Sequence, residues 1–97
     1  MTFDEYQRLS ARTSAMEWGW PQDKAVANAT IGLCGEAGEV AEHIKKREFH
    51  GKDAGADALK AELGDVLWYV AELATLHGMT LGDVAASNVA KLEERYL

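Results

Sequence analysis

The chain has one cysteine, Cys34, and one proline, Pro21. A lone thiol excludes an intrachain disulfide framework and fits a reducing compartment. No stretch approaches the ~18 apolar residues of a membrane span. The opening Met1-Thr2-Phe3-Asp4-Glu5 lacks the charged-then-apolar pattern of a secretory signal. The expectation is a soluble, cytoplasmic protein with no membrane partner. Basic residues are scarce: 10 Lys and Arg face 16 Asp and Glu, for a net charge of −6. That balance excludes a non-specific binder of nucleic-acid polymers, which would show a basic face. It leaves a nucleotide enzyme open, because metal ions neutralise an acidic site locally. Strand-like alternation is absent throughout, which makes the reading all-α.

What remains is a globular composition, 47% apolar over 97 residues, read as a single domain over residues 1–97. A chain this short buries a modest core, so oligomerisation is expected. Thr2 and Glu5 have capping-box spacing, and Phe3, Tyr6, Leu9, Thr13 and Met16 give a half-apolar stripe, predicting a first helix over about 3–16. Trp18-Gly19-Trp20-Pro21 breaks it. A second helix is expected over 23–49, a third over 56–77 stopped by Gly78, and a fourth starting at Thr80 and running to about Arg95.

The chemistry concentrates in two short stretches. Gly35-Glu36-Ala37-Gly38-Glu39 and Glu62-Leu63-Gly64-Asp65 each place two acids three residues apart, on one helical face. Twenty-two residues separate Glu39 from Glu62, enough to end one helix and start another running back. Two antiparallel helices would then aim four carboxylates at one volume. Carboxylates that crowded repel and have raised pKa values unless cations lie between them. An all-oxygen site suits Mg²⁺, with Mn²⁺ as the alternative. Glu42 is a candidate fifth carboxylate, and Glu72 is read as solvated. A di-iron carboxylate bundle would need Glu-x-x-His pairs, and none occurs: Glu42 follows Glu39 at that spacing, and His43 falls one position late.

Other residues could serve a substrate. Trp18 and Trp20 offer indole faces for a base or, equally, a plug for the end of a bundle. Lys46, within Lys45-Lys46-Arg47, belongs to a cationic rim for polyphosphate or simply complements the helix dipole. Tyr69, one turn beyond Asp65, could pack on a sugar or base or close the core. Asn88, Lys91 and Arg95 run along one side of the fourth helix, as a base contact followed by phosphate contacts or as a solvated edge. Gly32, Gly35 and Gly38 interrupt the second helix at ~1 kcal/mol each relative to alanine. With no Gly-Lys-Ser/Thr ending and no preceding strand they are not a phosphate loop, and close approach of a helix or ligand is the better reason.

These residues together resemble the MazG-like all-α nucleotide pyrophosphohydrolases. Gly35-Glu36-Ala37-Gly38-Glu39 is similar to the family's first motif, Glu62-Leu63-Gly64-Asp65-Val66-Leu67-Trp68-Tyr69 to its second, and Asn88-x-x-Lys91-Leu92 to its C-terminal helix. The resemblance implies a bundle of four to five helices that assembles as a homo-oligomer, a tetramer of paired dimers ahead of a dimer. It implies hydrolysis of (deoxy)nucleoside triphosphates between the α and β phosphorus atoms, giving monophosphate and pyrophosphate. By position, Glu36, Glu39, Glu62 and Asp65 would bind Mg²⁺, Glu36 or Glu39 would accept a proton from water, Lys91 would meet phosphate, and Tyr69 and Asn88 would lie near sugar and base. Phosphoribosyl-ATP pyrophosphohydrolases share the acids and the bond cleaved and are the nearest enzymatic alternative. A non-catalytic helical interaction module is the alternative of another class.

Overall fold

A computed structural model describes all 97 residues. Four α-helices follow one another: α1 (Phe3–Ser10), α2 (Gln22–His50), α3 (Ala56–Leu76) and α4 (Leu81–Tyr96). Two 3₁₀ turns, Ala11–Thr13 and Ala15–Trp18, lie between α1 and α2. The Thr2 capping box forms as its spacing predicts: Glu5 N donates to Thr2 Oγ1 at 3.0 Å and Thr2 N to Glu5 Oε1 at 3.0 Å.

The first helix is shorter than its periodicity suggested, because hydroxyl side chains take over its last backbone groups. Ser10 Oγ donates to Gln7 O, Thr13 Oγ1 donates to Ser10 O, and Ser14 Oγ accepts from Met16 N. Such local bonds compete with the helical ladder, and the chain tightens into the 3₁₀ turns.

The helix α2 is 29 residues long, about 43 Å at 1.5 Å per residue. It sets the length of the molecule, whose extents are 42 × 41 × 24 Å. The most extensive contact is between α2 and α3, which run antiparallel. At one point on this contact a Cβ on Gly32 would overlap the Tyr69 ring. This is the close helix approach expected of the glycines. At Gly35 and Gly38 a Cβ would meet nothing within 4 Å.

At the end of α3 Gly78, with φ of 70°, turns the chain, and Met79 N donates to Ala74 O at 2.8 Å in a Schellman closure. Residues of α1 fasten the start of α4. Gln7 Oε1 accepts from Leu81 N at 2.7 Å, its Nε2 donates to Met79 O at 2.9 Å, and Asp4 Oδ1 accepts from Gly82 N at 2.8 Å. These side chains satisfy amides that a helix N-terminus leaves without partners, and the Asp4 charge complements its dipole.

The core is thin. Ala15, Ala25, Ala29 and Leu76 form it, with Trp20, Val26, Tyr69 and Leu73 packed against it. Several stripe positions stay outside: Leu63 on α3, and Val84, Val89, Leu92 and Tyr96 on α4, are exposed. Glu72 goes the other way. Read as solvated, it is 3% exposed and accepts from Ser14 Oγ at 3.0 Å and Ala15 N at 3.1 Å.

Candidate functional site

The α2–α3 pairing decides where the acids fall. Gly32 lies against Tyr69. One turn on from Gly32 along α2 is Glu36, and one turn back from Tyr69 along α3 is Asp65. Carboxylate oxygens of Glu36, Glu62 and Asp65 come within 4.8 Å of one another. The crowding is felt at Glu36. Partial burial first, then the charges of Asp65 and Glu62, a hydrogen bond with Glu62 and the charge of Glu39 hold its carboxyl above the usual range. Glu39, the fourth predicted acid, stands outside the close trio. It lines a neighbouring hollow with Glu62, Glu42, His43, Lys46 and Lys52.

The trio therefore sits between two unlike surfaces. On one side is a hollow of about 380 Å³ lined by Thr13, Trp18, Glu36, Asp65, Trp68 and Tyr69. On the other is the smaller hollow of Glu39 and Lys46, about 140 Å³. Neither Lys46 nor Lys52 forms an ion pair; the two in the molecule are Lys45–Glu42 at 3.7 Å and Arg47–Glu48 at 3.2 Å. The two lysines thus present unpaired cations beside the acids.

The two tryptophans of the 18–21 segment divide their roles. Trp18 is 59% exposed and walls the larger hollow. Trp20 packs on the core behind it, meets Trp18 edge-to-face at 5.2 Å, and carries the Lys24 ammonium 4.3 Å over its ring. Asn88 and Lys91 line a different hollow, of about 530 Å³, with Gly78, Met79, Asp83, Val84 and Ser87. Arg95 lines none of these hollows. Within one chain the α4 residues are thus not brought to the acids.

Three further neighbours of the site had no role in the sequence reading. Trp68 lines the larger hollow, packs edge-to-face on Tyr69 at 4.9 Å, and donates from Nε1 to Thr13 Oγ1 at 2.8 Å. Its place three residues after Asp65 was the available signal. In the sequence Thr13 belongs only to the half-apolar stripe of the first helix. Tyr6, on α1, has its phenol pushed up by burial and then by the Asp65 charge. No local pattern links residues that far apart.

The family model of the MazG nucleotide pyrophosphohydrolase domain matches residues 25–96. That range includes all four acids, Tyr69 and α4, and leaves Trp18, Trp20 and the 3₁₀ turns outside. The chain is also similar to the Gene 37 protein of Mycobacterium phage L5, 39% identical over 101 residues, covering 98% of this chain and 89% of the phage protein. That name carries no activity. No solved structure matches the chain.

Proposed function

The chain belongs to the MazG nucleotide pyrophosphohydrolase family, and from that premise we propose that it hydrolyses (deoxy)nucleoside triphosphates between the α and β phosphorus atoms. The products are nucleoside monophosphate and pyrophosphate. The observation that carries the reading is the Glu36–Glu62–Asp65 trio, set between an aromatic hollow and one of mixed charge in which Lys46 and Lys52 face Glu39, Glu42 and Glu62.

The donor set fits a hard divalent cation. It is all oxygen, and the Glu36 carboxyl, raised first by partial burial and then by the charges of Asp65 and Glu62, is one whose charged form a cation between the acids would favour. Glu36, Glu62 and Asp65 would hold Mg²⁺, or Mn²⁺ in its place. When bound, such an ion neutralises charge on phosphate oxygens and lowers the pKa of water. Glu39, outside the trio but beside it, is the carboxylate left to accept the proton from the attacking water. Lys46 and Lys52 meet the polyphosphate tail, while Trp18, Trp68 and Tyr69 wall the base and sugar. The nucleotide would thus lie along the α2–α3 cleft with its scissile bond over the acids.

The test is product analysis with Mg²⁺ and a panel of canonical and modified ribo- and deoxyribonucleoside triphosphates, with phosphoribosyl-ATP beside them. Monophosphate and pyrophosphate are expected. Diphosphate and orthophosphate would contradict the cleavage site. Turnover of phosphoribosyl-ATP alone would move the chain to that activity, and no turnover at all would leave a non-catalytic module. Two substitutions separate the acids' roles. Glu39→Gln should lower kcat by a factor of about 10² or more, the range of general-base catalysis, while calorimetry still shows Mg²⁺ binding. Glu36→Gln should lose both.

A further inference from the structure

Glu72 is the one buried carboxylate in the molecule, and the proposed chemistry does not use it. It lies on α3 one turn beyond Trp68 and two turns beyond Asp65, so one helical edge carries an acid of the trio, a wall of the hollow and this buried group. Its Oε2 accepts from both Ser14 Oγ and Ala15 N. Ser14 is 4% exposed and Ala15 fully buried. The same Ser14 Oγ accepts from Met16 N at 3.1 Å and caps the 3₁₀ turn Ala15–Trp18. Trp68 holds the preceding turn through Thr13. The segment that ends in Trp18 is therefore fastened to α3 at two points one turn apart.

A carboxylate is an expensive way to fill space, because its charge must leave water. An apolar residue would pack there without that penalty. What the carboxylate adds is direction: two donors must meet one oxygen, which fixes the 3₁₀ turn relative to α3. We propose that Glu72, acting through Ser14, is a positioning residue that sets the Trp18 wall of the nucleotide hollow and thereby its base preference. The inference rests on the pyrophosphohydrolase reading and extends it to residues outside the family match.

The experiment uses Ser14→Ala and Glu72→Gln in the full chain, each alone and combined with Trp18→Ala. Hydrogen exchange at the Ala15 and Met16 amides should quicken at least tenfold in Ser14→Ala while α2 keeps its protection. KM for the preferred triphosphate should rise about fivefold, with a smaller change in kcat, and the KM ratios across the base panel should narrow. Glu72→Gln, which keeps one carbonyl oxygen for the two donors, should move the same quantities less. In the Trp18→Ala background Ser14→Ala should add nothing, since it acts through that ring. Unchanged KM ratios, or effects of Ser14→Ala and Trp18→Ala that multiply, would overturn the positioning role even where the amides exchange faster. A wild-type chain that hydrolyses no triphosphate would remove the function itself. An active wild type with an indifferent Ser14→Ala protein would remove only this inference.

Discussion

Glu36 bears the strain of the acid trio, and its protonation should therefore govern the metal-free protein. Its carboxyl titrates above the ordinary value when the chain is folded. Between the unfolded and folded pKa values the folded state binds more protons, so stability falls as pH rises through that window and levels off above it. The metal-free protein should thus melt at a higher temperature near the acid end of the window than at neutral pH, until other groups protonate. Mg²⁺ should restore stability at neutral pH, and its affinity should rise with pH over the same range as proton competition ends. Melting curves with chelator and with Mg²⁺, across pH, test this. Glu36→Gln should flatten the chelator series, and an unflattened series would assign the pH dependence to another group.

At the scale of elements, the Tyr69 ring in the Gly32 notch joins α2 to α3 one turn from Glu36 and Asp65. Gly32→Ala would favour the isolated helix by about 1 kcal/mol but force the ring out of a close contact, at about 1–3 kcal/mol for overpacking. Net destabilisation of up to about 2 kcal/mol in denaturant titration is expected, with kcat/KM reduced about tenfold or more as the acids separate. Tyr69→Ala in the same chain should cost less in the Gly32→Ala background than alone. Additive costs would deny the contact. The approach of Glu36, Glu62 and Asp65 was legible because i, i+3 spacing on two antiparallel helices leaves few arrangements, whereas the place of Glu39 outside that trio was not. Which glycine the partner helix fills was not, since Gly32, Gly35 and Gly38 look alike until the register is known. The end of α1 was hidden for a related reason: Ser10, Thr13 and Ser14 break the helix with side-chain bonds rather than with glycine or proline. Glu72 was misread because periodicity assigns it a face without saying that the 3₁₀ segment folds back over that face.

The molecule as a whole is too open to account for its own sequence. Its radius of gyration is 15.6 Å, against about 13 Å for a compact chain of this size. Nine of 97 residues are buried, none of them a large side chain fully enclosed. Ile31 is 73% exposed, Phe49 81%, and α4 shows Val89 and Leu92 to solvent. The stripe on α4 is therefore covered at Leu81 but open from Val89 through Leu92 to Tyr96, and a second copy would cover that part. Light scattering should give a multiple of 10.6 kDa, and the melting temperature should rise with protein concentration. Val89→Asp should shift the mass toward a single chain. A monomer at high micromolar concentration would refute the assembly. If α4 also brings Asn88, Lys91 and Arg95 to the acids of the other copy, two crippled chains should complement each other. Glu36→Gln lacks an acid and Lys91→Ala a phosphate contact. Unfolded together and refolded as a dimer, half of the pairs are mixed, and each mixed pair contains one intact site, so about a quarter of the wild-type sites should return. Activity no greater than the sum of the separate variants would place the α4 residues away from the nucleotide.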